Sequence, residues 1–200
     1  GPMADFMIMG YRFNGAHTGD RLMIGIIEGL LFNGYAGLID LNLIQKQKIL
    51  ESWVYTDIRN DYSSMLILGR PKGNQTLEEV KDLLLAEIEK LKKGEFDDWL
   101  INAVIKNLEL QKTRANESNN YRASIMSNAF IMNMNWNDVV YESDQLRKIT
   151  KQDVMNFAAN RFLNNYIVIN KRNGNDTTVF KVQKPRITPS WLLLKERKDI

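Results

Sequence analysis

The sequence predicts an α+β domain, a two-layer sandwich in which a mainly antiparallel sheet is packed by helices on one face. Three observations lead there. Short apolar runs of strand character fall in neighbouring pairs, and long stretches with helical apolar spacing separate them. The resulting order, β-α-α-β-β-α-α-α-α-β-β, groups its strands as antiparallel neighbours instead of alternating them one by one with helices.

Phe6 to Phe13 reads as the first strand, closed by an Asn14-Gly15 turn. Asp20 is the expected cap of a helix running to about Phe32, with Leu22, Met23, Ile26, Ile27, Leu30 and Leu31 on its apolar face. Asn33-Gly34-Tyr35-Ala36-Gly37 breaks that helix, and a second follows from about Leu38 to Ile49. Ser52 to Ile58 and Tyr62 to Gly69 read as two strands joined through Arg59-Asn60-Asp61. Thr76 and Glu79 form a capping-box pattern ahead of Val80, Leu83, Leu84, Ile88 and Leu91, and Gly94 ends that helix.

From Phe96 to about Met134 the chain is helical in character. Its polar middle, Thr113 to Asn120, predicts a bend or break, because a straight helix of that length would exceed about 50 Å at roughly 1.5 Å per residue. Trp136 to Ile149 predicts one further helix opened by Asn135, and Thr150 with Asp153 caps a short one carrying Val154, Phe157, Ala158 and Phe162. Tyr166 to Lys171 reads as a strand, with Asn173-Gly174 as a turn and Thr177 to Val182 as the hairpin partner.

The 200 residues suit one substantial domain or two small ones, and the order of elements assigns one to 5–183. Residues 1–4, Gly-Pro-Met-Ala, read as a protease-cleavage remnant. Residues 184–200 read as a linker and tail, opened by Lys184-Pro185-Arg186-Ile187-Thr188-Pro189, because proline restricts both itself and its predecessor. The chain lacks cysteine, which excludes disulfides, thiolate metal sites and cysteine catalysis. That composition suits the cytoplasm or a bacterial periplasm and does not choose between them. No apolar run is long enough to span a membrane. The net charge of +3 is carried by the end: six basic residues from Lys181 onward face two acidic ones, a net +4, which leaves −1 for the remainder. A nucleic-acid binder needs a basic face with interleaved aromatics, and the body offers none.

His17 is the only histidine, and neither Asp20 nor Glu28 stands at a recognised ligand spacing from it. A surface histidine in a turn is the expected reading, with no catalytic and no metal-binding residues in this chain. Gly25, Gly29, Gly34 and Gly37 match no phosphate-binding pattern and read as packing and turn glycines. Asp97-Asp98 and Glu78-Glu79 sit in first helical turns, where the helix dipole favours negative charge.

The order of several of these segments resembles one family. Asp20 with its apolar helix, followed by Leu30-Leu31-Phe32-Asn33-Gly34-Tyr35-Ala36-Gly37-Leu38, is similar to the helix and turn in repeat domains of insulinase/pitrilysin-like zinc metallopeptidases, the inverzincins. The capped Thr76 helix, Lys92-Lys93-Gly94-Glu95-Phe96, Ile149-Thr150-Lys151-Gln152-Asp153-Val154, the Asn165-Tyr166 strand and the closing 184–189 segment extend the likeness from about Phe6 to Pro189. The resemblance implies the metallohydrolase repeat fold of mitochondrial-processing-peptidase type, in a position most like the second domain of the N-terminal half. It implies a non-catalytic scaffold and substrate-chamber domain of a zinc-dependent metalloendopeptidase that degrades peptides. The H-x-x-E-H zinc motif lies in another domain of such enzymes, so zinc is expected in the parent's catalytic domain and no cofactor here. The implied partners are other domains of the same polypeptide and unfolded peptide, with no nucleic acid and no membrane. The alternative is a stand-alone, non-proteolytic relative acting as a binding or assembly protein. A carboxylate-only enzyme unrelated to the family is a third.

In the resembling family, peptides pair with exposed strand edges. That places a possible peptide-binding edge on the Tyr62–Gly69 strand at Ser63, Met65, Ile67 and Gly69, with an interior strand as the other reading.

Overall fold

A computed structural model describes residues 3–174. Four strands, β1 (Phe6–Asn14), β2 (Glu51–Ile58), β3 (Tyr62–Arg70) and β4 (Ile167–Lys171), form one antiparallel sheet in the order β2-β3-β1-β4. The helices are α1 (Asp20–Leu31), α2 (Leu77–Lys93), α3 (Asp98–Ala115), α4 (Asn119–Ile131), α5 (Trp136–Val140), α6 (Glu142–Leu146) and α7 (Lys151–Arg161). None of the described helices is long and apolar enough to cross a membrane.

Strand alternation sorts the side chains onto two faces. Met7, Met9, Tyr11 and Phe13 of β1, Val54 of β2 and Met65 and Ile67 of β3 are buried in one core with Ile24, Ile27, Leu30 and Leu31 of α1 and Val80, Leu84, Ile88 and Leu91 of α2. Phe162, fully buried, meets the rings of both Tyr11 and Phe13 edge-on and so closes the core beneath α7. The opposite face carries Ile8, Trp53, Tyr55, Leu66, Ile167 and Ile169, of which Tyr55, Ile167 and Ile169 are more than half exposed.

This order decides between the two readings of the Tyr62–Gly69 strand in favour of the interior one. β3 lies between β2 and β1 and is hydrogen-bonded along both sides, so Ser63, Met65, Ile67 and Gly69 do not form a sheet edge. All four are buried and point to the helices. Gly69 is small for a reason other than peptide access: a Cβ there would come within 2.4 Å of Val80 Cγ1 on α2. Among the described residues, the outer strands are β2 and β4. The expected partner strand Thr177 to Val182, the 184–189 segment and the Trp191-Leu192-Leu193-Leu194 cluster lie outside the described residues.

Local signals explain most element boundaries. Both capping boxes form: Thr76 accepts from the Glu79 N–H while Glu79 accepts from the Thr76 N–H, and Thr150 and Asp153 repeat the exchange. Gly94 ends α2 in the left-handed conformation, φ 70°. The polar stretch after Thr113 separates α3 from α4, and Ser118 caps the latter. Three details differ from expectation. Asp20 is the first residue of α1 and makes no cap; its carboxylate accepts from the Asn14 N–H (3.1 Å) and pairs with Arg161 on α7 (3.1 Å). The segment after Leu38 is a short, wide helical turn, Asp40–Ile44, that stops well before Ile49. The helix expected over Trp136–Ile149 is two short ones that meet at Tyr141.

Candidate functional site

The chemistry available to this chain gathers where α1 passes beneath the outer strand β2. The apolar spacing of α1 turns Ile24, Ile27, Leu30 and Leu31 into the core and leaves Gly25, Glu28 and Gly29 on a face that is only part-buried. β2 presents Val54 and Thr56 towards the same place, and α3 closes the third side with Trp99, Leu100, Val104 and Leu108. These elements bound an open cleft of about 780 Å³.

Among the described residues, Glu28 is the only charged one lining this cleft. Thr56 Oγ1 donates a hydrogen bond to Glu28 Oε2, which ties the middle of α1 to the outer strand. Burial pushes the Glu28 carboxyl above its ordinary range, and the Thr56 bond offsets only part of that rise. Gly25 leaves the floor open, since a Cβ there would meet nothing within 4 Å. Gly29 instead lets α3 approach, with Val104 packed into the space a side chain would fill.

A second cavity, about 550 Å³, adjoins the first and shares Gly25, Thr56, Leu108 and Gln111 with it. It runs under α4, whose Ile125 and Ala129 supply apolar wall. Its cations are already committed. Arg21 and Lys112 both pair with Glu142, Lys112 at 2.6 Å. Burial alone would raise the Glu142 carboxyl, but Lys112 and Arg21 together outweigh it and hold the group below its ordinary range.

The zinc that the resemblance implies for the catalytic domain does not fit here. A zinc site takes three or four protein ligands, and Glu28 stands alone. Among the described residues, no three His, Cys, Asp or Glu side chains are placed to hold a metal ion. His17 lines a separate small recess with Asp138 and Gln145, away from Glu28. In the sequence, Glu28 stands only as an acidic neighbour of His17 at no ligand spacing, which gives it no role. The available signal was Gly25-Ile26-Ile27-Glu28-Gly29, which has the spacing of H-x-x-E-H with glycine at both histidine positions.

The chain matches no protein-family model and no curated protein sequence. Solved structures match it at low identity. A protease from Helicobacter pylori superposes with a TM-score of 0.77 at 18% identity, over 83% of this chain and 40% of that one. The inactive peptidase domain of a protein assigned as a zinc protease in Bordetella parapertussis gives 0.76 at 13% identity, over 93% of this chain and 95% of that one. The periplasmic protease PqqL from Escherichia coli gives 0.66 at 13% identity, over 85% of this chain and 19% of that one. The chain therefore shares the fold of these protease domains, and it spans 40% of the length of the Helicobacter protein.

Proposed function

We propose that this chain is a non-catalytic scaffold and substrate-chamber domain of a zinc metalloendopeptidase of the insulinase/pitrilysin type, corresponding to the second domain of the N-terminal half. The observation that carries the reading is the cleft itself. It combines an outer strand, β2, that pairs only with β3 among the described residues and a helix with a lone carboxylate where a metal centre would need several ligands. Such a cleft suits an extended chain. An unpaired strand edge binds peptide through backbone hydrogen bonds and so accepts many sequences. Catalysis, with its zinc, would then reside in another domain of the same polypeptide. The exposed apolar residues opposite the helices, Tyr55, Ile167 and Ile169, suit contact with such a neighbour or with unfolded peptide.

A second reading is a stand-alone relative that binds without cleaving; in its support, one structure of the same fold is described as an inactive peptidase domain. The neighbouring coding sequence separates the two, since the first requires an H-x-x-E-H upstream. Peptide binding is tested by hydrogen exchange with an unstructured peptide. Protection concentrated on β2 is expected, and no change at millimolar peptide would overturn the substrate role.

A further inference from the structure

We propose that the cleft between β2 and α3 takes the side chain of a lysine or arginine, with its cationic end on the Glu28 carboxylate and its aliphatic stem against Leu100, Val104 and Leu108. The inference rests on the peptide-binding reading above and adds to it a preference for one class of side chain.

Charge complementarity is the first argument. Glu28 is half-buried, is the only charged group lining the cleft, and has no ion-pair partner among the described residues. A carboxylate offers about four lone-pair sites, and the Thr56 hydroxyl uses one of them. The nearby cations cannot supply the rest: Arg21 and Lys112 in the adjoining cavity are held by Glu142, and Arg147 pairs with Glu109. Among the described residues, the charges lining the adjoining cavity, Arg21, Glu109, Lys112 and Glu142, are all paired.

The shape argues the same way. Leu100, Val104 and Leu108 give the α3 wall an apolar surface, and Phe32 and Trp99 add aromatic rings. An alkyl stem loses little water there and an aromatic ring face attracts a cation. Gly25 keeps the floor clear beside Glu28. A purely apolar side chain would strip water from Glu28 without replacing its hydrogen bonds, and an acidic one would meet like charge. Burial already strains the Glu28 charge, so an arriving cation relieves that strain.

The test compares two unstructured peptides that differ only at one central residue, lysine or norleucine, by titration calorimetry and amide chemical shifts on the whole chain. The lysine peptide is expected to bind about fivefold more tightly, the upper scale of one solvent-screened ion pair, and to shift Gly25, Glu28, Gly29 and Thr56. Glu28→Gln keeps the shape and the Thr56 bond, and it should equalise the two peptides. Gly25→Leu fills the floor and should also remove the lysine advantage. Equal binding of both peptides to the unaltered chain, with protection on β2, would leave the peptide reading standing and overturn this inference. Binding of neither would overturn the peptide reading. Butylguanidinium then decides the inference by itself: shifts at Glu28 that vanish in Glu28→Gln support it, and their absence retires it.

Discussion

Val104 of α3 occupies the space that a side chain at Gly29 of α1 would need: a Cβ built on Gly29 lies 2.7 Å from Val104 Cγ1. Gly25, one turn earlier on the same helix, has nothing within 4 Å of its Cβ position. The same substitution should therefore have opposite signs at the two sites. Gly29→Ala forces α1 and α3 apart and should destabilise by about 1–3 kcal/mol, the usual cost of overpacking. Gly25→Ala removes a helix-interior glycine without a clash and should stabilise by about 0.5–1 kcal/mol. Urea denaturation of the two variants checks both.

Glu142 joins α6 to α1 through Arg21 and to α3 through Lys112. Its folded carboxyl lies below its ordinary range, so its contribution to stability is present above the ordinary carboxyl value and fades as pH falls through the folded one. Glu142→Gln should cost about 1–3 kcal/mol at neutral pH by leaving two cations part-buried and unmatched. The gap from the unaltered protein should close in acid, as read from melting temperature against pH.

Glu28 should behave in the opposite sense. Its folded carboxyl is raised, so the folded state holds the proton more tightly than the unfolded chain. Stability from this group is full below the ordinary carboxyl value and is lost as pH rises through the folded one. Glu28→Gln should then melt higher than the unaltered protein at neutral pH, by less than about 1 kcal/mol given partial solvent screening. The two should converge in acid. A variant that melts lower at neutral pH would contradict the shift.

Asp40 organises the turn that follows α1. Its buried carboxylate oxygen Oδ2 accepts from the backbone N–H groups of Asn33 (2.9 Å), Gly34 (3.0 Å) and Gly37 (3.0 Å). Asp40→Ala strands those donors, and the loss should reach about 2–4 kcal/mol because hydrogen bonds to a charged group are the stronger kind. Thermal denaturation measures it, and exchange at these three amides should accelerate.

What could be read from the residues divides along the range of the forces involved. Thr76 with Glu79 and Thr150 with Asp153 were legible because a capping box is settled within four residues. The break after Thr113 was legible for the same reason, as a polar gap in an apolar stripe. Of β3, its apolar run made an interior place legible, but not the identity of its neighbours. Alternation assigned Ser63 and Met65 to one face, as observed, but says nothing about which strands lie on either side. Asp20 was misassigned because its partner, Arg161, is 141 residues away in sequence. Glu28 was hidden by the apolar run around it. Its role depends on Thr56 and α3 arriving from elsewhere in the chain.

The sheet order also bears on how the chain acquires its fold during synthesis. Of the described strands β1 is the first to be made, yet one of its two neighbours, β4, is the last of them to emerge. Until Ile167–Lys171 is available, the β1 backbone is open along one side for the entire time that α1 to α7 are being made. Pairings so distant in sequence close slowly, and an unpaired strand invites wrong partners in the meantime. A chain stalled after α7 would carry a nearly complete core beside an unprotected seam, so nascent-chain aggregation should peak there and subside once β4 has been translated.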